Sequence, residues 1–545
     1  MHRTTRLPLL AATAVGCTLA FAAAAEAFPA LPGLSSAQPK ITGVPEPTVL
    51  SPGLAQVEIT RGSQALDGGT SAVPYYGYDG DGPLLPAPGD LPTVGHKVEA
   101  TKTEPDKNTY LVLKGQTGPD AQYDYGTHFL FQGHELGSPG YITRINLDAN
   151  PAHRVTLMAT QDTDGNPLST IDGSTWDPFA KRLLFTAENK NSPEYQATLD
   201  YPMKVTDISG YIGRGGYEGI QNDSAGNVWI VEDFGGSTGT INSHAKQPNS
   251  FIYRYVPNDP ADLTAGGVLQ ALQVTSKRTG QPIVFHSGQA DADITSQDVK
   301  DLHTYGLTFK TSWVTVHDTA TDGTAPFDAN TLAKAAGATP FKRPENGLFQ
   351  PGTDFRSFVF DETGDTNALT EAGTTYGGFG ALFKLTQAGP SASSGVLRLV
   401  YDGDAVHTGF DNVAFADTKT LLVAEDAGDT LHTQRNALDS LWQFNVNAGY
   451  GDPSTPAPVR ILAQGRDPSA TLDSGFQSLG PSSSTGFQNE GDNEITGVHI
   501  SDGDPTVFGI LGAKTPRPFV AGSPWKAFYT AQHGDNVTYE LILHR

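Results

Sequence analysis

From Thr109 onward the chain alternates short apolar runs with clusters of Gly, Pro, Asp and Asn, as in Tyr110-Leu111-Val112-Leu113, Phe129-Leu130-Phe131 and Tyr141-Ile142-Thr143-Arg144-Ile145. Runs of this length, bounded by turn residues, predict β-strands. Helical periodicity is scarce: the best candidates are Asn330 to Ala336 and the stretch from Arg435 to Leu441. The pattern therefore predicts an all-β fold.

Strand endings repeat. Leu183-Leu184-Phe185-Thr186-Ala187-Glu188, Val228-Trp229-Ile230-Val231-Glu232-Asp233 and Trp313-Val314-Thr315-Val316-His317-Asp318 each run from apolar to acidic or His. So do Phe358-Val359-Phe360-Asp361-Glu362, Leu421-Leu422-Val423-Ala424-Glu425-Asp426 and Phe528-Tyr529-Thr530-Ala531-Gln532-His533, with Phe129 to Glu135 a seventh candidate. A second polar element precedes several of them: Tyr217-Glu218-Gly219, Arg343-Pro344-Glu345, Phe410-Asp411-Asn412 and Asn493-Glu494-Ile495. A recurring hairpin with polar ends suits radial blades around a channel, so the expectation is a β-propeller of about six blades, with loop insertions at 237–305 and 430–490. Asp and Asn also cap turns on their own account; recurrence is what singles these acids out.

The N-terminal texture differs. Residues 1–27 carry Arg3 and Arg6, an apolar run from Leu7 to Ala25, and Ala25-Glu26-Ala27, the features of a secretory signal. Residues 28–100 are rich in Pro, Gly and Ser and read as an irregular leader, and 101–545 as the propeller. The single cysteine, Cys17, lies within the apolar run, so a chain processed after it would have no thiol chemistry. No second stretch reaches the length of a membrane span. A secreted or periplasmic monomer is expected.

The net charge of −24 disfavours nucleic acid and anionic membrane surfaces as partners. Acidity alone serves solubility. Carboxylates brought to one axis from separate repeats serve hard divalent cations, which take several oxygen ligands, and the candidates are Glu135, Glu188, Glu218, Glu345, Asp411 and Glu494. Packed together without cations, they could not all stay ionised. Arg214 and Arg343, with Lys190, place positive charge beside them, where an anionic substrate such as a phosphate ester finds partners, or where each pairs with a neighbouring Glu. Bound metals that lower the pKa of water suit phosphoester hydrolysis. No phosphate loop or nucleophile elbow stands in a strand-turn-helix context.

With these residues in view the chain resembles the PhoX-type alkaline phosphatases, secreted bacterial propeller enzymes with calcium and iron at the axis. The segments that carry the resemblance are Gly133-His134-Glu135, Thr186-Ala187-Glu188-Asn189, Tyr217-Glu218-Gly219, Arg343-Pro344-Glu345, Asp411-Asn412, Glu494-Ile495-Thr496-Gly497 and Gln532-His533-Gly534. The resemblance implies that Glu188, Glu218, Glu345 and Glu494 ligate metal and that the chain hydrolyses phosphate esters. Residue chemistry then makes Glu218 and Glu345, with Arg343 or Arg214 orienting the phosphate, the expected catalytic set. The family's cysteine ligand to iron is replaced here by Ala187, which argues for calcium and against iron. Arg3 and Arg6 are also not the adjacent pair of a twin-arginine signal. The alternatives are a calcium-stabilised propeller that binds a ligand or partner without catalysis, and a phytase-like or lactonase-like propeller hydrolase.

Overall fold

In a computed structural model of the 545-residue chain, the residues described are 29, 31–34, 48–78, 103–366, 369–435, 437–464, 494–510, 512–532 and 536–544. Among them twenty-six strands form five antiparallel sheets, and the helices are short.

Six four-stranded units follow one another along the chain. The first is Thr109–Val112, His128–Gln132, Ile142–Asn146 and Val155–Ala159; the second is Ser174–Asp177, Arg182–Phe185, Tyr195–Ala197 and Val205–Asp207. The third is Tyr217–Asn222, Val228–Glu232, Ile252–Pro257 and Gly267–Val274; the fourth is Gly347–Phe349, Ser357–Glu362, Ala381–Gln387 and Ser394–Asp402. The fifth is Phe410–Phe415, Thr420–Glu425, Ser440–Asn445 and Val459–Gln464. The sixth is Glu494–Ser501, Lys526–Gln532 and Val537–Leu543, completed by Leu54–Thr60 from the other end of the chain. The first strands touch one another in cyclic order, and that of the sixth unit meets that of the first. This is a propeller, with the first strand of each blade lining the axis.

The blades are not all separate. Thr308–Asp318 pairs with Gly267–Val274 on one side and with Ser394–Asp402 on the other, fusing the third and fourth blades into one nine-stranded sheet. Trp313 to Asp318 therefore belongs to an outer bridge, and its resemblance to the blade endings is a false repeat. The 237–305 stretch read as a loop holds the third and fourth strands of the third blade, and the helix expected at Arg435 to Leu441 lies earlier, at Gly428–Arg435, followed by the strand Ser440–Asn445. The other expected helix is Ala329–Ala335, capped by Asp328, whose side chain accepts from the Thr331 amide.

The Pro- and Gly-rich segment before residue 100 contributes to the propeller itself. Leu54 to Thr60 pairs with Val537–Leu543, and Thr48–Leu50 adds a fifth strand to the fifth blade. Joining the two ends of the chain within one blade closes the ring and leaves no gap between first and last blade. Apolar clusters fill the wedges between blades: Leu422, Leu441 and Ile461 of the fifth blade pack with Ile495, Val498, Tyr529 and Leu541 of the sixth. Residues 79–102, including Pro83, Pro86 and Pro88, and residues 465–493 lie outside the described set.

Candidate metal centre

In an antiparallel blade the start of the first strand and the end of the second lie at the same face, as the pairs Tyr217↔Glu232, Phe410↔Glu425 and Glu494↔Gln532 record. Every first strand brings one acid to that end: Asp106, Asp172, Glu218, Glu345, Asp411 and Glu494, at or just before the strands of the first to sixth blades. The ends of second strands add Glu135, Glu188, Asp233 and Asp426. Sequence separation thus becomes adjacency at the axis.

Among the described residues, three groups of acids bring ligand oxygens within 4.8 Å of one another: Asp106, Glu135 and Asp172; Asp172, Glu188 and Glu218; and Glu218, Asp233 and Glu345. Asp172 and Glu218 are shared, so the groups form one connected string. All but Glu135 and Glu188 are buried, and Glu188 stands open at the mouth. Hydrogen bonds account for only part of these oxygens. Gln532 Nε2 donates to Glu135 Oε1 at 2.7 Å and to Asp106 Oδ2 at 3.0 Å, and Asn346 Nδ2 donates to Glu218 Oε1 at 2.8 Å. Asp106 Oδ1, Asp172 Oδ1 and Asp411 Oδ2 are buried with no hydrogen-bond partner. A buried carboxylate oxygen left without a donor is costly.

Glycine makes the crowding possible. A Cβ on Gly173 would lie 1.8 Å from the Glu218 carbonyl oxygen, and one on Gly219 would lie 2.8 Å from that of Glu345. Gly219 N also donates to the Glu345 carbonyl at 2.8 Å. Neighbouring axial strands meet backbone to backbone at the metal-sized groups.

Burial pushes the carboxyls of Asp172, Glu218, Glu345 and Glu494 well above the usual range, and repulsion from neighbouring acids adds to it. Asp411 is pushed up to about 7 by burial and then by Asp106. Glu345 is partly relieved by Arg343. Cations in the string would hold these acids ionised, and the donor set consists of oxygens alone, which fits hard ions such as calcium. Ala187, fully buried where the family has its cysteine, offers no ligand atom. The donors present do not fit a thiolate-bound iron.

Arg343 donates from Nε to Asp233 Oδ1 at 2.7 Å and from Nη2 to Asp233 Oδ2 at 2.5 Å, and its Nη2 lies 3.5 Å from Glu345. Its backbone is left-handed, with φ 56°, held by the Thr363 amide donating to its carbonyl. One edge of the guanidinium is thus committed to Asp233, while the side chain lines a cavity of about 160 Å³ with Lys246, His244 and Asp426. A second cavity, of about 480 Å³, opens over Glu135, Asp172 and Glu188 and is flanked by Asn189, Lys190, Asn191 and Phe234. Lys190 Nζ sits 5.1 Å from the centre of the Phe234 ring.

The structure brings Glu135, Glu188, Glu218 and Glu345 into the three groups, and places Asp411 and Glu494 on the same axis outside them. Asp106, Asp172 and Asp233 are the members sequence reading did not single out. Arg214 bonds to Asp207 at 3.3 Å and to the Asn191 carbonyl at 3.2 Å, and makes no hydrogen bond to Glu218. His134 is a packing residue: it is buried, stacked on Tyr141 at 3.9 Å and hydrogen-bonded to Thr143 and Thr103. His533 lies outside the described residues.

Fold and site together define an all-β propeller whose axis carries acidic groups able to take metal ions. The family model described as alkaline phosphatase PhoX matches residues 243–508, just under half of the chain. The match agrees with the PhoX-type resemblance that the chain's residues carry, and a phosphatase-type, metal-dependent function goes with that family. No curated protein matches the chain. Solved structures similar to it include YCF48 from Cyanidioschyzon merolae, at 9% identity and TM-score 0.29, covering 80% of this chain and 96% of that one. Another is Saccharomyces cerevisiae Sqt1, at 7% identity and TM-score 0.30, covering 82% and 97%. Neither likeness is strong enough to carry an argument.

Proposed function

We propose that this chain is a secreted, calcium-dependent phosphomonoesterase whose centre is the string Asp106, Glu135, Asp172, Glu188, Glu218, Asp233 and Glu345. The observation that carries the reading is the sharing of Asp172 and Glu218 among three acid groups directly beside the Arg343 fork. Calcium bound there would supply Lewis acidity and a water of lowered pKa. The chain's own residues would do the rest. Asp233 fixes one edge of the Arg343 guanidinium and leaves the other edge for the oxygens of a phosphate ester. Lys190 adds a cation at the mouth of the larger cavity, through which an ester could reach the acids. Gln532 and Asn346 hold single oxygens of Glu135, Asp106 and Glu218, which limits the directions in which those carboxylates present their other oxygens.

The apolar N-terminal run and the family match support the reading of export, and no helix among the described residues is long and apolar enough to cross a membrane. Outside the cell calcium is abundant, so an oxygen-only centre can fill there.

The test is elemental analysis of the purified protein together with hydrolysis of a chromogenic phosphate monoester, with and without chelator. Bound calcium with turnover that chelator abolishes and calcium restores is the expected result. Calcium without turnover would replace this reading by a non-catalytic binding propeller, and a metal-free protein would remove the centre altogether.

A further inference from the structure

Beneath the acid string lies a buried ammonium. Lys107, on the segment that leads into the first blade, is almost wholly buried, and its Nζ donates to Asn346 Oδ1 at 2.8 Å and to Asn412 Oδ1 at 2.9 Å. Asn346 leads into the fourth blade and Asn412 lies in the first strand of the fifth. In a ring of six, the first and fourth blades stand opposite each other, so these bonds carry the ammonium across the axis.

Its contacts continue into the acids. An ammonium is a donor only, so it turns the oxygens of both amides toward itself and their nitrogens away. Asn346 Nδ2 then donates to Glu218 Oε1 at 2.8 Å. Asn412 Nδ2 donates to Asp411 Oδ1 at 2.6 Å and to Thr496 Oγ1 at 3.0 Å, and Thr496 Oγ1 donates to Asp106 Oδ2 at 2.7 Å. One cation therefore reaches acids of the first, third and fifth blades through two amides and a hydroxyl. Asp106 Oδ1 and Asp411 Oδ2 remain buried and unpartnered around it.

Amide and carboxylate oxygens converging on one positive charge are also the surroundings of a bound hard cation. We infer that Lys107 is a built-in counter-ion: its ammonium fills a cation position that would otherwise take a metal, and so sets how many ions the axis binds. The inference rests on the reading of the axial acids as a metal centre. It concerns a position below the three acid groups, and Lys107 is a positioning residue that makes no contact with substrate.

Lys107→Ala removes the charge and vacates its space, leaving Asn346 Oδ1 and Asn412 Oδ1 facing it. The expected result is one additional calcium per chain relative to the parent, counted by elemental analysis after dialysis against calcium. A folded variant with the parent's stoichiometry overturns the inference. Should Lys107→Ala not fold, Lys107→Met fills the volume without the charge. The melting temperature of each protein is then compared in calcium and after chelator treatment.

For charges of +1 and +2 set about 8 Å apart, Coulomb repulsion in a water-like dielectric would weaken binding by about sixfold. Lys107→Met should therefore bind calcium at least about sixfold more tightly than the parent and show a larger calcium-induced rise in melting temperature, while Lys107→Arg keeps the parent's rise. Equal rises in Lys107→Met and parent would mean that Lys107 only packs the axis. Absence of turnover in parent and variants alike, with the calcium gain intact, would leave this inference standing and overturn the phosphatase reading instead.

Discussion

Replacing Arg343 by Lys tests whether its guanidinium serves the reaction or only the fold. The structure gives the fork two short bonds to Asp233, at 2.7 and 2.5 Å, and a third approach to Glu345 at 3.5 Å. An ammonium can keep one of these bonds, and the left-handed backbone at φ 56° is equally hard for both residues, so backbone strain cancels. Losing one charged hydrogen bond costs roughly 1.5–3 kcal/mol, and with the Arg343 side chain 31% exposed the expected loss of stability falls to about 1–2 kcal/mol. The effect on reaction should be larger. A lysine paired with Asp233 has no second planar edge for a phosphate, and forfeiting a bidentate charged contact of about 2–3 kcal/mol lowers kcat/KM by roughly 30- to 150-fold. The assay is steady-state hydrolysis of a chromogenic phosphate ester in saturating calcium, beside thermal denaturation of the same samples. If kcat/KM stays within about twofold of the parent while the melting temperature falls, Arg343 is an ion-pair partner of Asp233 and nothing more.

Other expectations are independent of catalysis. Gly173→Ala places a methyl 1.8 Å from the Glu218 carbonyl, so the axial strands of the second and third blades must part; a loss of more than about 4 kcal/mol, or failure to fold, is expected in denaturant unfolding. The buried pair of His303 Nε2 and Glu362 Oε2, 2.9 Å apart with Lys342, Asp365 and Asp402 close by, holds the His303 pKa above its ordinary value: burial opposes the charge, and Glu362 outweighs it. A raised imidazole pKa contributes stability that is complete below about 6.5 and is lost as pH rises through the folded value. The melting temperature should therefore decline on the alkaline side of 6.5, and His303→Gln should flatten that decline; an unchanged slope would place its origin elsewhere.

The propeller was legible because its repeat is chemical as well as periodic: apolar strands that end in an acid or amide recur wherever a blade presents its second strand. Trp313 to Asp318 shows the limit of that reading, since a strand bridging two blades on the outside has the same apolar-to-acid profile. The closing strand Leu54–Thr60 was hidden for a different reason. Its partner lies at the far end of the chain, and pairing over that distance leaves no local signal amid Pro and Gly. At the site, Glu218, Glu345, Asp411 and Glu494 stood out because each sits in or against an apolar strand. Asp106 and Asp172 lie in segments that read as turns. Two pairings could have found them: Asp172-Gly173 repeats Glu218-Gly219, where the axis demands a missing side chain, and Asp106 precedes Lys107 as Glu345 and Asp411 precede Asn346 and Asn412. What repeats at the axis is an acid followed by a residue that allows or directs close approach.

The charge arithmetic of the axis bears on how the fold and the metal depend on each other. The three groups contain seven carboxyls, and the structure sets two fixed cations against them, Arg343 and Lys107, leaving five negative charges by subtraction. Protonation could absorb part of that excess, since burial first, and repulsion between neighbouring acids after it, push these carboxyl pKa values up. It would do so at a cost, because a protonated acid buried beside unpartnered oxygens satisfies only one of them. Two or three divalent ions would balance the same charge and satisfy many oxygens at once. Binding that relieves repulsion in the folded ring, and has no counterpart in the unfolded chain, is stabilisation of the fold. A propeller already closed by pairing Leu54–Thr60 with Val537–Leu543 can hold such a ring together before the ions arrive, which is what a protein loaded with calcium only after export would need.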